Sequence, residues 1–219
     1  GRLYCPGGYD SLVIMATNMI NRIRRNHGLE HATIHILSER HKRFSAQGNS
    51  DHRGFHLNIY GDVTEDEVRA AVAEAHRRLK AGEHHLAVHP NCGTVLVTTA
   101  ALATLAAQVV LAVENWREPK AGRVRPLSVL NAMPGAMVAV VGAIIVGRPL
   151  GVRLQERYTV DGDLRDLEVE SVQPIAPSPI TRLFQLLLTG GNPDMRAKAY
   201  FVRTRGGAGD RRTTNAVAH

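Results

Sequence analysis

The sequence predicts an α+β protein that carries a two-helix transmembrane hairpin. Three observations lead there. Residues 94–113 and 128–147 are each twenty residues long and contain no Asp, Glu, Lys or Arg. Residues 114–127 between them hold six charges and Trp116. Outside this middle block, apolar residues recur with the shorter periods of amphipathic helices and half-buried strands. At 1.5 Å per residue, twenty helical residues reach about 30 Å, the hydrocarbon thickness of a bilayer.

The chain of 219 residues then divides into four stretches. Residues 1–93 read as an N-terminal helix followed by a small β-α-β unit. Residues 94–147 are the hairpin. Residues 148–190 are a β-hairpin and a short helix belonging to the same soluble region, and residues 191–219 are a flexible tail. A buried soluble hairpin is the competing reading, but the remaining polar segments offer little to bury two such helices.

The elements follow in order. Asp10 or Ser11 can cap a first helix, in which Leu12, Met15, Ala16, Met19, Ile20 and Ile23 repeat at helical spacing. The pattern runs on toward Ile34 and Leu37, with a break expected near Asn26 or Gly28. Residues 45–54 read as a polar loop. Phe55, Leu57 and Ile59 alternate with His56, Asn58 and Tyr60, the rhythm of a strand. Thr64 and Glu67 form a capping box, and Val68, Ala71, Val72, Ala75 and Leu79 line one face of the helix behind it. Residues 85–88 read as a short strand stopped by Pro90. Pro134 and Gly135 predict a kink or close contact in the second span, and Gly142 and Ala136 add small surfaces. After the spans, residues 153–160 and 164–172 read as two strands around Asp161-Gly162, a hairpin signal. Residues 180–188 read as a short amphipathic helix, and 190–193 as a turn.

Composition limits the partners. The net charge is +7 with 27 Lys and Arg. Excess base points to nucleic acid or to an anionic bilayer surface. Arg117, Lys120, Arg123 and Arg125 lie between the spans, and Arg148, Arg153 and Arg157 follow the second. No basic stripe interleaved with aromatics is present, so the expected partner is the lipid bilayer, with no nucleic acid. The bulk on either side of a hairpin must share one face of the membrane. The basic residues divide between both sides, so orientation rests on the absence of an export signal, which places the soluble part in the cytoplasm. Cys5 and Cys92 have neither a metal-knuckle spacing nor the density of a disulfide framework.

The chemistry-bearing motif is His27-Gly28-Leu29-Glu30-His31. His27 and His31 stand four apart, so on a helix they project from one face. H-x-x-E-H is the reversed form of a zinc-peptidase motif, in which two neutral imidazoles bind zinc and the glutamate takes a proton from the metal-bound water. That chemistry needs a third ligand and one open position. Glu74, His85, His89 and Cys92 are the candidates, with His89 and Cys92 favoured because their turn leads into the first span. His35, one turn further along, can extend the site. The competing reading is ordinary: the chain has eleven histidines, and Asn26-His27 can be a polar helix break.

The run Asn26-His27-Gly28-Leu29-Glu30-His31-Ala32-Thr33, together with His89-Pro90-Asn91-Cys92-Gly93-Thr94, resembles an uncharacterised bacterial family known as domain of unknown function 6391. Tyr60-Gly61-Asp62-Val63 and Gly82-Glu83 belong to the same resemblance, which covers about residues 20–170. Val95 stands where the family pattern leads one to expect Asn. The resemblance implies a small bacterial membrane protein and no established activity. Two functional readings follow. In one, the protein is a membrane-anchored zinc hydrolase, peptidase-like, with His27 and His31 as metal ligands, His89 or Cys92 completing the site, and Glu30 as base. In the other, it is a non-catalytic subunit of a bacterial membrane complex, with the same cluster as a structural metal site or polar lock.

Overall fold

The computed structural model describes residues 8–117, 126–179, 181–182 and 197–208. Two compact units form, one from residues 1–88 and 160–219, the other from residues 89–159.

In the first unit a long helix α1 (Gly8–Arg40) opens the chain and runs through residues 26–28 without the expected break. It is followed by β1 (Ser45–Asp51), β2 (Gly54–Tyr60) and α2 (Glu65–Lys80). After a tight 3-10 turn, His84–Ala87, the unit resumes with β3 (Glu168–Ile175) and β4 (Lys198–Arg205). The four strands form one antiparallel sheet in the order β1-β2-β4-β3. Leu57 faces Tyr200 and Phe55 faces Val202 across the β2–β4 seam. These side chains are buried with Leu29, Ile36 and Leu79 from the helices, so α1 and α2 cover one face of the sheet. Helix α2 starts as expected. The Thr64 side chain accepts from the Glu67 backbone N–H, and the Glu67 carboxylate accepts from the Thr64 backbone N–H at 2.8 Å.

Several expectations fail here for identifiable reasons. The polar loop at 45–54 is a strand and its turn. Ala46, Gly48 and Ser50 lie opposite Ile59, Leu57 and Phe55. Ala46 packs against the hydrophobic core, while Gly48 and Ser50 meet the Glu30 carboxylate of α1, so β1 needs no run of large apolar residues. Asp51 ends it by accepting from the backbone N–H of Arg53 and of Gly54, whose φ of 151° suits glycine. The expected strand at 85–88 is instead the 3-10 turn, and Leu86 and Ala87 are buried in the core. Asp161-Gly162 makes no hairpin. It threads between helix and turn: a Cβ on Gly28 would overlap the Asp161 carbonyl, and one on Gly162 would lie 2.8 Å from His84. β4 occupies the centre of the sheet, within the stretch expected to be a flexible tail. The helix expected at 180–188 falls outside the described residues except for 181 and 182, and the turn at 190–193 falls outside them entirely.

The second unit is a helical hairpin of α3 (Gly93–Arg117) and α4 (Pro126–Leu154), the latter extended by a π-turn, Gln155–Thr159. This turn stands where a strand was expected at 153–160. Gly93–Trp116 and Val129–Thr159 are long and apolar enough to cross a membrane, with mean hydropathies of 2.1 and 2.2. Large apolar side chains such as Val97 and Val138 point outward, 70% and 75% exposed. The close contacts between the helices fall at Gly147 and Gly151. A Cβ at Gly147 would sit 3.0 Å from Thr99 Cα, and one at Gly151 would sit 2.8 Å from Val95 Cα. This small-x-x-x-small pair lets two backbones meet. Gly135 only touches Val110, and Gly142 has nothing near it among the described residues.

Candidate metal centre

Helix α1 presents His27 and His31 one turn apart, and their ring centroids are 4.3 Å from each other. His31 is buried, and His27 is partly so. The His31 Nδ1 lies 2.8 Å from the Ala87 carbonyl oxygen. A carbonyl only accepts, so Nδ1 carries the proton and Nε2 is the lone-pair nitrogen. Metal-binding histidines are oriented in this way, with the far ring nitrogen donating to a backbone carbonyl. His35 bonds the next carbonyl, Val88, through Nε2 at 2.9 Å, so that ring presents the opposite nitrogen. The Leu86–Val88 backbone is thus held by two successive turns of α1.

Glu30 is turned about 100° from His31 around the helix. It is 3% exposed, and its carboxylate accepts from Ser50 Oγ at 2.6 Å. A Cβ on Gly48 would overlap it. Its neighbours on α1 continue this polar seam. Asn26 donates to the Asp51 carbonyl at 2.8 Å and accepts from Thr204 Oγ1 at 2.7 Å. Arg25, 2% exposed, donates to the Asp163 and Gly207 carbonyls and pairs with Asp161 at 3.4 Å. Burial pulls the Arg25 guanidinium below the usual arginine range, and Asp161 opposes that pull.

Of the other proposed ligands in this unit, Glu74 is engaged by Arg77 at 2.6 and 2.9 Å on the outer side of α2, and that guanidinium holds its carboxyl below the ordinary glutamate range. His85 is exposed on the 3-10 turn.

In the second unit, His89 to Cys92 form the turn that starts α3. The Val95 and Leu96 N–H groups both donate to the Cys92 carbonyl, at 3.0 and 3.1 Å. Cys92 is 8% exposed and carries a thiol, with no disulfide among the described residues. The Asn91 N–H donates to His89 Nδ1 at 3.2 Å, which uses that lone pair within the turn. Gln155, fully buried, accepts from the His89 N–H at 2.8 Å and donates to the His89 carbonyl at 3.1 Å. Sequence reading missed Gln155, because a single glutamine in an amphipathic stretch carries no motif. By donor chemistry, His27 and His31 in the first unit and Cys92 in the second are each residue types that ligate metal ions.

Residues 22–172 match the profile of the family described as Domain of unknown function (DUF6391). The chain belongs to this family. An uncharacterised protein of Picosynechococcus sp. is 35% identical over 164 residues, covering 69% of this chain and 71% of that relative. No solved structure matches. The family match spans both histidine-bearing segments, the whole helical hairpin, and Gln155.

Proposed function

We propose that this DUF6391 protein is a membrane-anchored, non-catalytic subunit that holds one transition-metal ion through His27, His31 and Cys92. The observation that carries the reading is the His31 ring. Its Nδ1 bond to the Ala87 carbonyl sets the tautomer a ligand needs, and it does so beside a second imidazole on the same helix face. Two imidazoles and a thiolate suit zinc, which favours tetrahedral nitrogen and sulfur donors. Chain connectivity supports Cys92 as the third donor. It is four residues beyond Val88, whose carbonyl is fixed by His35, so it stays within about 14 Å of that point. His89 is the weaker candidate, since its Nδ1 already accepts from Asn91. Three protein ligands leave a fourth position for water or for a side chain of another subunit.

The peptidase reading asks Glu30 to act as base at the metal. Its buried carboxylate instead accepts from Ser50 and rests on β1, which favours a structural role for the motif. The bilayer is the natural environment for α3 and α4, whose outward apolar side chains would otherwise face water.

The test is metal content by elemental analysis of the full chain purified in detergent, alongside His31→Ala. About one zinc-type ion per chain in the wild type, lost in the variant, is the expected result. No stoichiometric metal in the wild type, or equal metal in both, overturns the proposal. Metal-dependent peptide cleavage abolished by Glu30→Gln would restore the hydrolase reading in its place.

A further inference from the structure

We infer that Gln155 is a positioning residue that fixes the direction of the Cys92 thiol, an inference that rests on the metal-binding reading above. A fully buried glutamine is costly unless both halves of its amide are bonded. Here both go to one residue. The Oε1 accepts from the His89 N–H and the Nε2 donates to the His89 carbonyl, as a neighbouring β-strand would. The pairing matters because the next residue is Pro90, which has no N–H of its own to anchor the turn.

His89 is the hub from which the rest of the turn is built. Its carbonyl also accepts from the Cys92 N–H at 3.3 Å, and its ring accepts from the Asn91 N–H. Cys92 then caps α3 through its own carbonyl. With the two backbone groups of His89 held, its bonds to the Asn91 and Cys92 N–H groups carry the constraint on to Cys92.

The end of α4 is shaped for this task. Gln155 opens the π-turn, and such turns re-aim a side chain by one extra residue in the helical ladder. Thr159 Oγ1 donates to the Gln155 carbonyl at 3.2 Å, and Thr94 Oγ1 donates to Thr159 Oγ1 at 3.4 Å. One turn before, Gly151 brings the α4 backbone against Val95. Small residues and a π-turn thus deliver one amide to the start of α3. Leucine would fill the space with no bonds, and glutamate would keep the acceptor but lose the donor.

The test uses the full chain in detergent in a Cys5→Ser background, with Gln155→Leu and Gln155→Glu and with circular dichroism as a fold control. Two readouts are taken: the rate of Cys92 modification by a maleimide in metal-free protein, and the thiolate-to-metal charge-transfer band after loading with cobalt(II). Expected are a rise of at least about tenfold in the modification rate and loss of the charge-transfer band, with helicity kept. An unchanged modification rate in both folded variants overturns the inference. If wild-type protein gives no thiolate band while the modification rate still rises in the variants, the metal reading fails and Gln155 stands as the residue that sets the turn. If Gln155→Leu fails to fold, Gln155→Glu, which keeps the acceptor and sets a carboxyl oxygen against the His89 carbonyl, gives the same readouts.

Discussion

The Glu30 carboxylate lies over Gly48 and accepts a hydrogen bond from Ser50 Oγ at 2.6 Å. Glycine at 48 is what makes room for it. Gly48→Ala would place a methyl group on the Glu30 side chain, which must swing away and loosen its bond to Ser50. A loss of about 1 kcal/mol is expected from the weakened bond, read as a lower midpoint in thermal unfolding of the full chain in detergent. Glu30→Gln, which keeps the shape and the bond to Ser50, should cost much less and should leave metal content unchanged. Equal stability of Gly48→Ala and wild type would contradict this packing.

Arg25 ties α1 to two separate segments, the 161–163 loop and Gly207 after β4. Arg25→Ala removes the guanidinium from those carbonyls and from Asp161, whose other carboxylate oxygen keeps the Asp163 N–H. Asp161 is part-exposed, so most of the cost is the loss of the two carbonyl bonds, and about 2 kcal/mol of destabilisation is expected. Arg22→Ala, whose parent makes a single bond to the Thr204 carbonyl, should cost clearly less. Chemical denaturation of both variants, followed by circular dichroism, checks the order.

The capping box of α2 should respond to pH. The Thr64 N–H and hydroxyl hold the Glu67 carboxyl below the ordinary glutamate range. A depressed folded-state pKa gives stability that is present above the unfolded value and lost as pH falls through the folded one. At neutral pH, Thr64→Ala should weaken the domain by about 1 kcal/mol. The gap between wild type and Glu67→Gln should close as pH drops through the lowered Glu67 value. A gap that stays constant down to that acidity would contradict the assignment.

Gly147 and Gly151 set how closely α4 meets α3. Gly151→Leu places its side chain into the Val95 backbone and should separate the helices. Gly142→Leu, at a position with nothing near it, is the matched control. Disulfide cross-linking between cysteines engineered at facing positions on α3 and α4 should fall with Gly151→Leu and hold with Gly142→Leu.

What could be read from sequence was local. The apolar runs, the Thr64–Glu67 box, the alternation of β2 and the pairing of His27 with His31 all depend on spacing within one element. What could not be read depends on contacts between distant segments. β1 is polar toward its end because Glu30 meets Gly48 and Ser50 there and Asn26 bonds the Asp51 carbonyl. Asp161-Gly162 looks like a hairpin turn, yet it serves to slip past Gly28 and His84. Gln155 acquires its role only because α4 ends in a π-turn opposite His89. Residue types and spacing single out His27 and His31 on one helix, and His89 and Cys92 in the turn before the first span. The tautomer of His31 became visible only once Ala87 was placed beside it.

X-ray absorption at the zinc edge of the full chain, loaded with one equivalent of zinc, tests the central claim most directly. The account predicts a shell of nitrogen near 2.0 Å from two imidazoles and a single sulfur near 2.3 Å, the sulfur vanishing in Cys92→Ser. A shell of oxygen alone, or a spectrum that Cys92→Ser and His31→Ala leave unchanged, would contradict it.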